Sequence, residues 1–260
     1  MAVMKCFRVL VVLLSTHFLI AQNNVKDTIA VKDSLQNLKF NYKQLIIPSV
    51  LIGYGLIGIE SDQIKNFNSE IKEEVNEHID EKLSIDDFAQ YAPAAAVYTL
   101  NAFGNKGKNN LKDRSIILAS SYLMMSVAVL TLKNITKVER PDGSSNNSFP
   151  SGHNATAFAG AEFMYQEYKD QSIWYGIAGY AVATGTGLFR VYNDRHWFTD
   201  VAAGAGIGIL STKAAYWIYP YLNKKVFSSN KNTPKENKVS SMIIPYYNGK
   251  QMGCGLVIRF

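Results

Sequence analysis

Apolar residues fall in long blocks separated by short polar stretches, and the block lengths predict helices along most of the chain. Gln44 to Ile59 contains the run IIPSVLIGYGLIGI, with Pro48 and its glycines inside it. Glu60 to Leu83 is rich in charge, yet Ile64, Ile71, Val75, Ile79 and Leu83 fall near helical spacing. That pattern predicts an amphipathic helix lying on a surface. Its charges, His78 included, read as a solvated face and carry no chemistry. Asp86 or Asp87 can cap the next helix, which runs through Phe88 and Ala94 to about Ala102. Ser115 to Leu132 holds no charge and is bounded by Arg114 and Lys133. Ser172 to Phe189 and Phe198 to Leu222 are rich in Gly and Ala, which let helices approach closely. Lys213 interrupts the last of these runs. The lengths suit short or tilted membrane spans, and also core helices of a soluble bundle; membrane is the favoured reading.

The two ends differ from this pattern. Lys5 and Arg8 precede a mostly apolar run from Val9 to Ile20, and Ala21 stands before Gln22. Residues 1–21 therefore predict a signal peptide, or an N-terminal anchor if it is not cleaved, and both export the chain. Residues 22–43 read as a linker or surface segment, 44–224 as a helical domain, and 225–238 as a second linker containing Pro234. Residues 239–260 predict a hairpin that turns at Asn248-Gly249 and ends in Phe260. One hairpin cannot close a barrel, so it is expected as a strand pair packed on the domain.

Composition narrows the partners. With 260 residues, 47% of them hydrophobic, the chain can build one sizeable core or a small membrane bundle. Charged residues make up 18%, below the globular average of about 25%. Loss of residues 1–21 would lower 27 basic residues to 25 against 21 acidic ones, and the net charge from +6 to +4. Cys6 would leave with that segment, and Cys254 alone forms no intramolecular disulfide. A positive surface suits an anionic membrane or a phosphorylated substrate. No basic cluster is interleaved with aromatics, which argues against a nucleic-acid partner.

Three segments hold the residue types that phosphoryl transfer needs. Lys133 and Arg140-Pro141 place two cations seven positions apart at the end of an apolar helix. Lysine there can equally snorkel or complement the helix dipole. Pro150-Ser151-Gly152-His153 starts a helix: Ser151 is a good N-cap, Gly152 permits close approach of an anion, and exposed amides bind phosphate. Arg190, His196 and Asp200 form the third segment. The last two are four apart, so one helical turn would bring the carboxylate under the imidazole and fix its tautomer. Arg190 adds a planar fork that suits phosphate oxygens. Each segment has a structural reading of its own. Of the four histidines in the chain, however, the two outside the N-terminal segment and the charged helix both fall here.

K-x6-R-P, then P-S-G-H, then R-x5-H-x3-D, in this order, resembles the signature of the type 2 phosphatidic acid phosphatase family. That family shares a superfamily with bacterial acid phosphatases and vanadium haloperoxidases. The resemblance spans Lys133 to Asp200 and departs at Phe189, where the family usually has Ser, so one phosphate hydrogen bond is in question. It implies an all-α bundle of about six core helices. It also implies a metal-independent phosphatase acting through a phosphohistidine, with no cofactor. His196 would be the nucleophile and Asp200 its orienting group, while His153 would protonate the leaving oxygen and then activate water. Lys133, Arg140, Ser151, Gly152 and Arg190 would hold the phosphate. The implied substrate is a phosphorylated lipid of the cell envelope, such as lipid A, an isoprenoid diphosphate or a phosphatidyl phosphate, met at a site facing the periplasm. The alternatives are a haloperoxidase-like enzyme and a non-catalytic phospholipid-binding protein; the oligomeric state is left open.

Overall fold

The computed structural model describes residues 42–76, 84–223, 240–247 and 252–259. The segments read as a signal (1–21) and as the linker 225–238 lie outside these residues, as do His78, Asn248, Gly249 and Phe260. After a 3-10 turn at Tyr42–Leu45 come, among the described residues, eight helices: α1 (Ile46–Glu60), α2 (Asp62–Asn76), α3 (Ile85–Ala89), α4 (Ala92–Ala102), α5 (Leu111–Thr136), α6 (Gly152–Tyr168), α7 (Ile173–Tyr192) and α8 (Phe198–Leu222). Strands β1 (Ser240–Tyr247) and β2 (Met252–Arg259) pair antiparallel, with Ser240 opposite Arg259 and Tyr247 opposite Met252.

Local chemistry explains the boundaries. Asn110 caps α5 by accepting from the Asp113 amide at 2.9 Å. Lys137 ends the same helix in the left-handed region, at φ 49°. Ser151 and Ser172 cap α6 and α7 in the same way as Asn110. Between Asp86 and Ala102 the structure corrects the expectation of one helix capped by an aspartate. There are two helices, parted at Gln90 and Tyr91. Ser84 stands at the N-cap position of α3, and Asp86 and Asp87 lie inside its first turn. Pro93 opens α4, where a missing amide proton costs nothing.

Helix α6 is the centre. Ala155, Ala157, Ala159, Ala161 and Phe163 are fully buried among its neighbours, and α4, α5, α7 and α8 all pack against it. The approach of α8 is closest. A side-chain carbon added at Gly208 would sit 2.3 Å from the Ala155 carbonyl oxygen, and one at Gly204 would sit 2.5 Å from that of Ser151. On its other side α8 meets α1, where a carbon at Gly206 would lie 2.6 Å from the Pro48 carbonyl oxygen. Backbone thus rests on backbone, as small residues permit.

Among the described residues three helices are long and apolar enough to cross a membrane: Tyr42–Glu60, Leu111–Thr136 and Phe198–Leu222. The first two turn large apolar side chains outward, among them Ile47, Val50, Ile57, Leu123, Val127 and Leu130. An apolar surface of this extent belongs against lipid, and the chain is membrane-associated. Lys213, which interrupts α8, does not face that surface. Its ammonium lies 2.7 Å from the buried Glu162 carboxylate of α6, which also accepts from the Tyr180 hydroxyl.

Substitution at Gly208 should be costly because the added atom meets backbone. Gly208→Ala is expected to lose about 1–3 kcal/mol. Gly53→Ala in α1, where nothing lies within 4 Å, should leave stability unchanged or raise it. Thermal unfolding of the two variants in detergent checks the contrast.

Candidate active site

The three motif segments meet where α6 and α8 begin. The Ser151 amide donates to the Asp200 carbonyl at 3.0 Å, locking the head of α6 to the first turn of α8. Gly187 on α7 closes the third side. A carbon added there would lie 2.7 Å from both Asn154 Oδ1 and a Val201 methyl, and Asn154 Nδ2 donates to the Val201 carbonyl at 2.6 Å. The ends of α6, α7 and α8 therefore share one small volume.

His196 and Asp200 come together, but not on one helical turn as their spacing predicts. Helix α8 begins at Phe198, so His196 precedes it, and Asp200 turns back to accept from the Trp197 amide at 2.9 Å. The capping arrangement, rather than a continuous helix, brings Asp200 Oδ2 to 3.7 Å from His196 Nδ1. Ser148 bridges the pair: its hydroxyl donates to Asp200 Oδ2 and lies 3.4 Å from His196 Nδ1. The imidazole is 2% exposed. Burial pushes it down to about 4, with Asp200 opposing and the Lys133 and Arg190 charges assisting. His196 is consequently neutral across the physiological range, and its Nε2 is the ring nitrogen turned away from the carboxylate.

The cations are held by what surrounds them. Lys133, on the last turns of α5, donates to the carbonyls of Asn147 and Ser148. Arg140 Nε donates to Asn147 Oδ1 at 2.9 Å. Burial and then the Arg190 charge lower its tendency to hold a proton, a sign of cations crowded together. Arg190 is buried, and its Nη1 lies 2.5 Å from Asp86 Oδ2. Asn193 donates to the other Asp86 oxygen at 3.2 Å. Arg190 Nε is buried without a hydrogen-bond partner among the described residues. His153 Nε2 lies 3.0 Å from Asp87 Oδ1, which is 3.5 Å from Arg190 Nη1. Burial lowers the His153 pKa below its usual 6.5, Arg190 adds to that, and Asp87 opposes it.

A polar cleft of about 160 Å³ opens among Asp86, Asp87, Arg140, Arg190, Asn193 and Arg195. Sequence reasoning placed Arg140 and Arg190 here but gave no part to the others. Asp86 and Asp87 looked like helix caps, although two adjacent carboxylates before an apolar helix also suit counterions for buried arginines. Nothing in the sequence marks Ser148 apart from its place in the loop before Pro150. Phe189, at the position where a serine was expected, rests edge-on against Tyr192 with ring centres 5.9 Å apart, so it supplies packing. The arrangement can bind a multiply charged anion between guanidinium, ammonium and helix-start amides, with a neutral imidazole and a second imidazole nearby.

The family model of the PAP2 superfamily matches residues 114–224. A lipid A 1-phosphatase of Porphyromonas gingivalis is 37% identical over 170 residues, which make up 64% of this chain and 38% of that protein. The bacitracin transport permease protein BcrC of Bacillus licheniformis is 31% identical over 93 residues, 36% of this chain and 43% of that one. The chain thus spans less than half the length of these two curated relatives. The crystal structure of a transmembrane PAP2 type phosphatidylglycerolphosphate phosphatase from Bacillus subtilis has a TM-score of 0.52 and 19% identity, covering 72% of this chain and 98% of its own. At that identity the likeness is one of fold.

Removing the carboxylate that faces Arg190 leaves a buried charge unpaired. Asp86→Ala should destabilise the protein by about 3–5 kcal/mol, read as a lowered unfolding midpoint. Asp142→Ala, which frees the half-exposed Arg195, should cost under about 1 kcal/mol.

Proposed function

We infer that this chain, which belongs to the PAP2 superfamily through residues 114–224, is a metal-independent phosphatase of envelope lipids. Its substrate is a phosphomonoester or diphosphate on a lipid, and lipid A stands first because of the resemblance to a lipid A 1-phosphatase. Isoprenoid diphosphate and phosphatidyl phosphate follow. The observation that carries the reading is the meeting of a neutral, buried imidazole backed by Asp200 and Ser148 with a crowd of cations at the start of α6. A site facing the periplasm fits the export reading of residues 1–21.

The chemistry follows from the positions. A phosphate enters between Lys133, Arg140 and Arg190, and its oxygens take the Gly152 amide at the head of α6 and the unpartnered Arg190 Nε. Ser151 keeps that helix start in place by capping it. His196 Nε2 attacks phosphorus, and a P–N bond forms as the bond to the lipid oxygen breaks. Positive charge gathers on the imidazole, where Asp200 and the Ser148 hydroxyl stabilise it through Nδ1. His153, protonated with the help of Asp87, delivers its proton to the departing oxygen. The now neutral His153 then takes a proton from water as that water attacks phosphorus. The P–N bond breaks, inorganic phosphate leaves, and His196 returns to its neutral form. Three cations compensate the transition-state charge, as positioning and electrostatics can in phosphoryl transfer.

His196→Gln should abolish phosphate release from lipid A, an isoprenoid diphosphate and phosphatidic acid alike. His153→Ala should slow the preferred substrate by about 10²–10⁴-fold. Vanadate should inhibit and a chelator should leave the rate unchanged. Phosphate release at the full rate by His196→Gln overturns the mechanism, and bromide oxidation with added vanadate would redirect it to a haloperoxidase.

The pH profile has a definite sign. His196 must be unprotonated to attack, so kcat/KM should rise as pH climbs through about 4. His153 must be protonated to serve the leaving group, and its lowered pKa places the loss of activity below pH 6.5. Rates of phosphate release from pH 3.5 to 8 should therefore show an acidic optimum; an optimum above pH 7 contradicts the assignment.

A further inference from the structure

Of the three cations read as phosphate contacts, two are carried by helices, Lys133 on α5 and Arg190 on α7. Arg140 stands in the stretch between α5 and α6. The base of that loop is anchored by Ser148, whose amide donates to the Val138 carbonyl at 2.9 Å. The tip closes on itself around Arg140. The Gly143 amide donates to the Arg140 carbonyl at 2.9 Å, and the Arg140 amide to the Ser145 carbonyl at 3.0 Å. Such a turn keeps its own shape, but its seat against the helices needs ties from outside the loop.

Those ties bracket Arg140. On one side Trp197 Nε1 donates to the Glu139 carbonyl at 2.9 Å. On the other, Lys72 Nζ donates to the Pro141 carbonyl at 2.8 Å, and Arg195 Nη1 donates to Asp142 at 3.2 Å. Arg195 and Trp197 flank His196 in the chain, so their bonds set the tip in register with the imidazole. Lys72 comes from α2, 69 residues away from Pro141. Its ammonium also lies over the Trp197 ring, 5.7 Å from the centre, within the range of cation–π attraction. One cation thus joins both sides of the bracket, and a hydrogen bond from a charged donor is stronger than one between neutral groups. Lys72 does not line the polar cleft itself.

We propose that Lys72 is a positioning residue of the phosphate cleft. From the surface helix α2 it holds Arg140 in place through the Pro141 carbonyl, with the Trp197 ring as the seat of its ammonium. This role rests on the reading of Arg140 as a phosphate contact, and Lys72 itself never touches the anion.

Orthovanadate serves as a stand-in for phosphate that needs no turnover. Its affinity for the full-length protein in detergent is measured by calorimetry, with phosphate release followed in parallel. Lys72→Met should weaken vanadate about tenfold, the ratio expected of one charge-assisted hydrogen bond. Lys72→Arg, which keeps a cation for the same carbonyl and ring, should restore most of the loss. Lys65→Met removes an exposed charge from the same helix and should leave the affinity unchanged. In the Arg140→Gln background Lys72→Met should have no further effect, because the lysine acts through Arg140. A tenfold loss that persists without Arg140 overturns the proposal. So does unchanged affinity in folded Lys72→Met, which would make the bond a structural tie alone. If the unaltered protein binds vanadate and releases no phosphate from any lipid, the phosphatase reading fails while the vanadate series still decides the role of Lys72.

Discussion

The contact of α6 with α8 is the constraint on which the remaining geometry rests. Gly204 and Gly208 set the second helix directly on the backbone of the first, with no room for a single added carbon. At that spacing the Ser151 amide reaches the Asp200 carbonyl, and the start of one helix becomes the floor beneath the start of the other. The amides at the head of α6 and the His196–Asp200 pair are then neighbours by construction. A separation of even one methyl group would move the proposed nucleophile away from the anion it is to meet, and misplacements of that size are expensive in catalysis.

Buried charge is the second organising demand. Arg190 is a cation in a closed setting, and Asp86, with Asn193 behind it, makes that tolerable. Asp87 stands between Arg190 and His153 and bears on both. The same logic operates far from the cleft, where Lys213 meets Glu162 between α8 and α6. Charges inside an apolar bundle persist because each is given a partner. In both places the partner comes from a helix distant in sequence.

Much of this was legible from residues alone. Block lengths and capping residues marked the helices closely, because a cap such as Ser151 and a boundary such as Lys133 act within a few positions. The motif order named eight candidate site residues, and the structure draws their segments to the starts of α6 and α8 and the end of α7. Two local readings needed correction. Asp86 and Asp87 read as caps, since a sequence shows an aspartate before a helix but not the arginine on another helix that claims it. His196 and Asp200 read as one helical turn, since spacing by four does not reveal that the helix starts between them. Phe189, where the resemblance leads one to expect Ser, packs its ring against Tyr192 three residues on along the same helix.

The sequence by itself determined the helical class, the membrane-length apolar blocks and the identity of the chemical groups, because these depend on side-chain type and short-range spacing. Only the tertiary structure decided which carboxylate meets which cation and how the His196–Asp200 pair is oriented. The first comes from contacts between residues far apart in sequence, such as Arg190 with Asp86, and the second from the helix start between His196 and Asp200 together with Ser148. Contacts of that kind are set by how closely helices can pack, which no local pattern encodes.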